Sequence, residues 1–247
     1  MHTGLSRILK TLALLLLSAA SSQAGNSPAA SESKVLVFGG TGQLGSAIVR
    51  ELLTAGYPVV VFVRPSSDRS RLAGLKVSYV TGDILNAGQV MAAFDGKDIR
   101  TVVDATARGS ADDEFYPTAM THIIAGAKAG GVQQIILEGS VGAGDNVNQF
   151  PQANFGRMRS TLAAKGRAEQ LLIDSGIGYT IIRNGILLSA DLPPTRAARL
   201  STDQSLMRKI TRTDLGLLTV LCIGNPAYMN GVWHAVDDSQ DVPPQYR

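Results

Sequence analysis

The sequence predicts a single α/β domain built on a doubly wound parallel sheet, with helices covering both faces. Three observations carry that prediction. From Lys34 onward, apolar runs of strand length alternate with amphipathic stretches of helix length. Those runs are continuous rather than alternating, which suits strands buried on both faces. A glycine-rich turn joins the first run to the first helical stretch.

Taken in order, residues 35–38 read as the first strand. Residues 43–55 read as a helix with Leu44, Ile48, Val49, Leu52 and Leu53 on one side, ended by Gly56-Tyr57-Pro58. Residues 59–63, 76–80, 101–105, 134–137 and 179–182 are the second to sixth strands. Helical patterns fall at 87–94, 118–129 and 161–174. After Arg183 the rhythm changes. Residues 184–209 are irregular, with Pro193-Pro194 and several arginines, and are expected on the substrate side of the sheet. A helix at 213–223, capped by Thr213, and a short strand at 231–236 complete the domain. No internal repeat is present.

Residues 1–24 read as a secretory signal and 25–33 as a flexible lead-in, leaving 34–247 as the folded domain. Arg7 and Lys10 precede an apolar run from Leu12 to Ala20, and Ser22-Gln23-Ala24 supplies small residues for cleavage. The run falls short of the ~20 residues that span a bilayer. Export without stable membrane insertion is therefore expected, with an uncleaved anchor as the competing reading. The net charge of +3 is concentrated in this leader. Without Arg7 and Lys10 the chain has 21 basic and 20 acidic residues, too even a balance for a nucleic-acid surface. The lone cysteine, Cys222, lies among apolar helical residues and reads as a buried thiol.

The turn at 39–45 is the most informative stretch. Gly39, Gly42 and Gly45 are spaced three apart between a strand and a helix. Glycine at the first position permits a tight turn. At the second it lets backbone approach a diphosphate, and at the third it lets the helix pack on the strand. The amides of Thr41, Gly42, Gln43 and Leu44 are then expected to be free at a helix N-terminus, where the dipole favours anions. The strand–turn–helix setting predicts a dinucleotide-binding Rossmann domain, with an ordinary glycine-rich turn as the competing reading. An NAD-selective site usually ends its second strand with an acid for the ribose 2′-hydroxyl. Here that position is Arg64, followed by Ser66, Ser67, Arg69 and Arg71, which suits a 2′-phosphate and hence NADP(H). A solvated basic loop is the competing reading.

An ordered set of motifs follows: Gly-Gly-Thr-Gly-Gln-Leu-Gly (39–45), Val-Arg-Pro-Ser-Ser (63–67), Gly-Asp (82–83), Ser140, and Lys165 with Glu169. Ser-Gly-Ile-Gly-Tyr-Thr-Ile-Ile-Arg (175–183) and Ile-Thr-Arg-Thr-Asp-Leu-Gly (210–216) complete it. The set resembles the atypical short-chain dehydrogenase/reductase group, which includes NmrA-like NADP-binding proteins and the flavin reductase/biliverdin reductase B type. The resemblance implies that Asp83 and Ile84 contact adenine and that Ala105, Thr106 and Ala107 lie beside the two riboses. It further implies that Ser140 sits near the nicotinamide and that Lys165 bonds ribose hydroxyls. Asp83 as a turn residue and Lys165 as a solvated helix lysine are the plain alternatives. Asn184 stands where the group usually has proline.

Carbonyl-reducing members of this group use a Tyr-x-x-x-Lys pair, in which the lysine lowers the tyrosine pKa. Four residues before Lys165 stands Thr161, and Tyr116 and Tyr179 lie elsewhere in the sequence. Ordinary alcohol–ketone chemistry is therefore not expected. Reduction of a flavin, quinone or similar small acceptor remains open, with Ser140 and Lys165 as candidate catalytic residues. The alternative is a non-catalytic NADP-binding sensor or assembly factor. A monomer acting on a small molecule is expected. Asp112-Asp113-Glu114 reads as a solvated helix start, and His122 and His234 have no partner at metal-ligand spacing. Arg196, Arg199, Arg208, Lys209 and Arg212 form either an anion-holding group or an ordinary solvated surface.

Overall fold

The computed structural model describes residues 33–108, 114–151, 155–189 and 192–242. The leader and lead-in up to residue 32 lie outside the described residues, as do Asp112 and Asp113. The first half of the domain runs β1 (Lys34–Phe38), α1 (Gln43–Thr54), β2 (Val59–Val63), β3 (Val77–Thr81), α2 (Ala87–Ala92), β4 (Ile99–Asp104) and α3 (Phe115–Ala129). The second half runs β5 (Gln134–Ser140), α4 (Arg159–Ile173), β6 (Gly178–Asn184), β7 (Ile186–Leu187), β8 (Ala198–Ser201), β9 (Lys209–Ile210), α5 (Arg212–Cys222) and β10 (Gly231–Asp237).

Strand order in the main sheet is β3-β2-β1-β4-β5-β6-β10-β8. The first seven strands are mutually parallel. The direction of winding reverses between β1 and β4, which opens a crevice at the carboxyl ends of those strands. β2 is Val-Val-Val-Phe-Val with every residue buried, because helices cover both its faces. One core, around Leu36, Phe38, Met120 and Ile135, lies on the α2–α3–α4 side. The other, around Val37, Ile48, Leu52 and Leu215, lies under α1 and α5.

Two expectations need correction. The stretch 184–209 is not wholly irregular: β8 adds to β10 as an antiparallel edge, and β7 pairs with β9 in a separate two-stranded ribbon. Ala-Arg-Leu-Ser of β8 is too short to show a period, and its partner lies more than thirty residues away in sequence. The second correction concerns α5. It starts at Arg212, and its cap is Thr211, whose Oγ1 accepts the amide of Asp214 at 3.0 Å. Thr213 instead donates its hydroxyl to the Leu192 carbonyl.

Candidate functional site

The glycine turn packs as its spacing requires. Gly39 has φ +74°, and a Cβ there would lie 2.5 Å from the Ala105 carbonyl oxygen. At Gly45 a Cβ would lie 2.2 Å from the Gly39 carbonyl oxygen. Gly40, which the spacing argument passed over, is equally confined, since a Cβ would lie 2.7 Å from Val61. Gly42 is exposed, and its added Cβ would meet only the Gly39 oxygen, at 3.2 Å. The expectation of four free amides is corrected in one place: Gly42 N–H donates to the Gly39 carbonyl at 2.9 Å. The amides of Thr41, Gln43 and Leu44 have no acceptor among the described residues. They line the mouth of α1, where a diphosphate fits both the dipole and the missing side chains.

Ala105 and Thr106 border this turn, and Ala107 follows them as an exposed residue. Ala105 N–H bonds the Phe38 carbonyl at 3.1 Å, tying the ends of β1 and β4 together. Arg64 leaves β2 at the same edge, in an exposed turn where Ser67 N–H donates to the Arg64 carbonyl and Ser67 Oγ accepts the Arg64 amide. Arg69 lies 4.5 Å over the ring of Tyr79. Asp83 shapes the turn after β3 by accepting the Leu85 amide at 3.0 Å. Ile84 puts its side chain into the core, and its carbonyl meets His122 Nδ1 at 2.9 Å. Ser140 ends β5, and Lys165 Nζ donates to its hydroxyl at 2.8 Å. Lys165 is thus partly buried and bonded, not a solvated helix lysine.

Comparison with known proteins bears on this geometry directly. A family described as NAD(P)H-binding matches residues 39–226. The chain belongs to the NAD(P)H-binding family. An uncharacterised chloroplastic protein of Arabidopsis thaliana is 32% identical over 201 residues, covering 72% of this chain and 60% of its own length. The NAD(P)H azoreductase of Xenophilus azovorans is 25% identical over 202 residues, covering 79% of this chain and 65% of its own length. The chain thus spans less than two thirds of the length of these relatives, 60% and 65%. Among solved structures, the anaerobilin reductase ChuY of Escherichia coli superposes with TM-score 0.70 at 25% identity, covering 86% of this chain and 100% of its own.

Behind the mouth of this NAD(P)H-binding domain lies a polar cluster that sequence reading did not foresee. Asp104, Glu138 and Glu169 are buried, from β4, β5 and α4. Glu169 meets Arg183 of β6 at 2.7 and 3.1 Å. Glu138 points to the opposite face, where Thr219 Oγ1 donates at 2.8 Å and Asn184 Nδ2 at 3.3 Å. Burial pushes the Glu138 carboxyl up to about 7, against those two donors. Asn184, in the place of the usual proline, is therefore a partner for a buried acid. Burial draws Lys165 down, while Asp104, Glu169 and Glu138 oppose that shift.

Tyr116, which sequence spacing separates from Lys165, is brought beside it by the packing of α3 on α4. Lys165 Nζ lies 5.3 Å from the centre of its ring. The lysine faces the ring, not the hydroxyl, which accepts the Arg108 amide at 3.0 Å. Burial raises this phenol, so it is not primed as the tyrosine of a Tyr–Lys pair. Thr161 occupies the sequence position of that tyrosine. For Asp104 and Glu138 the signals in the sequence are acids closing or interrupting apolar strands, as in Val-Val-Asp and Ile-Leu-Glu, and Glu169 stands in the motif with Lys165.

The remaining candidates disperse. Asp214 accepts the amides of Thr195 and Arg196 and the Thr211 hydroxyl, stapling the loop before β8 to α5. Arg199 pairs with Asp238, and the guanidiniums of Arg208 and Arg212 donate to the carbonyls of Met207 and Leu188. Glu114 pairs with Arg167. Burial pushes the Cys222 thiol up to about 12, which leaves it inert. Among the described residues no helix is long and apolar enough to cross a membrane.

Proposed function

We propose that the chain is an NADPH-dependent reductase of a flavin, quinone or similar small acceptor, acting as a monomer. The observation that carries this reading is the Lys165–Ser140 hydrogen bond at the sheet edge that also holds the glycine turn, with no tyrosine hydroxyl bonded to it among the described residues. Two relatives of the chain, the azoreductase and ChuY, are named as reductases.

The fit of the dinucleotide rests on the cradle at Gly39, Gly42 and Gly45, where any Cβ would occupy the approach or the turn itself. The amides of Thr41, Gln43 and Leu44 would hold the diphosphate, and Arg64 with Ser66 and Ser67 the 2′-phosphate. Asp83 and Ile84 would border the adenine, and Ala105, Thr106 and Ala107 the riboses. The bound cofactor supplies a hydride. Ser140 orients the acceptor and offers its O–H, and Lys165 holds the serine oxygen by donating to it. Acceptors with conjugated double bonds need no phenol, because the anion left by hydride addition is already delocalised.

The test is a binding titration of NADPH against NADH, followed by NADPH consumption with FMN or a quinone. Turnover supports the reductase. Tight binding without turnover supports a non-catalytic sensor or assembly factor, a reading favoured by Thr161 and by the engaged Tyr116 hydroxyl. We further propose export through the leader at 1–24. Because the Arabidopsis relative is chloroplastic, delivery to an organelle is the competing destination. N-terminal sequencing of the mature protein with cell fractionation separates the two, and an intact leader in the cytoplasm rules out both.

A further inference from the structure

We propose that Asp104 stores the proton that Ser140, resupplied through Lys165, gives to the reduced acceptor; this rests on the reductase reading above. Asp104 closes β4 immediately before the segment that packs on the glycine turn. The residue is 4% exposed. One carboxyl oxygen accepts the Thr106 amide at 3.0 Å. No lysine or arginine forms an ion pair with it among the described residues.

A cavity of about 10 Å³ lies beside it, lined by Asp104, Thr106, Tyr116, Glu138, Lys165 and Glu169 among others. That is room for about one water molecule. The surrounding groups can be sorted by what they already hold. Tyr116 of α3 has its hydroxyl on the Arg108 amide. Glu169 of α4 is bound by Arg183 of β6. Glu138 of β5 is held by Thr219 and Asn184 on the far face of the sheet. Lys165 of α4 donates to Ser140 at 2.8 Å. Asp104 is the acid left facing the cavity without a counterion in contact. Burial raises its carboxyl above the ordinary range, against the Thr106 hydrogen bonds and then Lys165, so it holds a proton more tightly than a surface aspartate does.

The step balances. The acceptor's double bond takes a hydride from the reduced nicotinamide, which is thereby oxidised, and becomes an anion. That anion takes the Ser140 hydroxyl proton, and the serine oxygen takes one from the Lys165 ammonium. The neutral amine is reprotonated by the Asp104 carboxylic acid through the cavity water. Lys165 ends as an ammonium and Asp104 as a carboxylate, which regains its proton from solvent after product leaves.

Asp104→Asn tests this, since the amide oxygen can still accept from Thr106. A melting curve checks the fold, and NADPH affinity is expected to stay within about twofold. In the wild-type chain kcat falls as pH rises through the Asp104 titration. In the variant kcat is expected to be about 100-fold lower on the acid side of that titration and flat across it. Infrared spectra of the full chain, ¹³C-labelled at aspartate carboxyls, give a readout that needs no turnover. A label-shifted protonated carboxyl band should persist at pH values where the exposed aspartates are ionised, and vanish in Asp104→Asn. If the variant does not fold, the labelled wild-type spectrum decides, and absence of that band overturns the proposal. Turnover with an unchanged pH profile in the variant overturns the proposal and leaves the reductase reading intact. No turnover of FMN or a quinone by the wild-type chain overturns both.

Discussion

Arg64 and Glu138 show how much a single side chain decides here. Arg64 stands exposed at the end of β2 with no acceptor for its guanidinium among the described residues, although its backbone is fixed by the turn with Ser67. A 2′-phosphate would supply the missing partner. Arg64→Ala is expected to remove ~1–3 kcal/mol of NADPH preference over NADH, the scale of a charge-assisted hydrogen bond. Paired calorimetric titrations measure it, and an unchanged preference would assign the 2′-phosphate elsewhere. Glu138 carries a pH dependence. Its folded pKa of about 7 lies above the ordinary 4.5, so the folded chain binds the proton more tightly than the unfolded chain. The stability this contributes is fully present below about pH 4.5 and is lost as pH rises through about 7. Glu138→Gln is neutral at all pH and should escape that loss. Relative to wild type, the variant should gain on the order of 3 kcal/mol between about pH 4.5 and about pH 8. Urea unfolding across that range checks this, and parallel curves would refute it.

At the scale of elements, legibility followed locality. The glycine turn, β2 and α1 were readable because each is specified by residues adjacent in sequence, through φ, burial and period. The cap of α5 lies two residues before the threonine that the sequence pattern favours, because Thr211 and Thr213 both satisfy the preference for a capping hydroxyl. Only the packing of the preceding loop shows that Thr211 faces the helix amides while Thr213 faces Leu192. The two threonines therefore make a paired prediction. Thr211→Ala should cost about 1 kcal/mol, and more if the Asp214 staple loosens with it. Thr213→Ala should stay within about 0.5 kcal/mol of wild type. Chemical denaturation of both variants distinguishes the caps.

The whole molecule is a sheet with one core on each face and a crevice where the winding reverses. A ligand held at that crevice would act on the whole folding equilibrium, because the cradle joins β1, α1 and β4. At about 100 times its dissociation constant, NADPH should stabilise the chain by about 2.7 kcal/mol. For a domain of this size that raises the melting temperature by about 5–10 °C, with NADH doing less at equal concentration. A thermal shift series with both nucleotides measures it.

The sequence by itself determined the wound α/β order, the glycine cradle and the arginine at the second strand's end, since strand burial, turn geometry and helix caps are set over a few neighbouring residues. Only the tertiary structure decided that β8 closes the sheet in the antiparallel sense. It alone placed Tyr116 against Lys165 with its hydroxyl turned away, brought Asp104 and Glu169 to one small cavity, and set Glu138 on the other face of the sheet. The physical reason is that the energy of a buried charge depends on partners brought by packing from distant parts of the chain, and no local period records them.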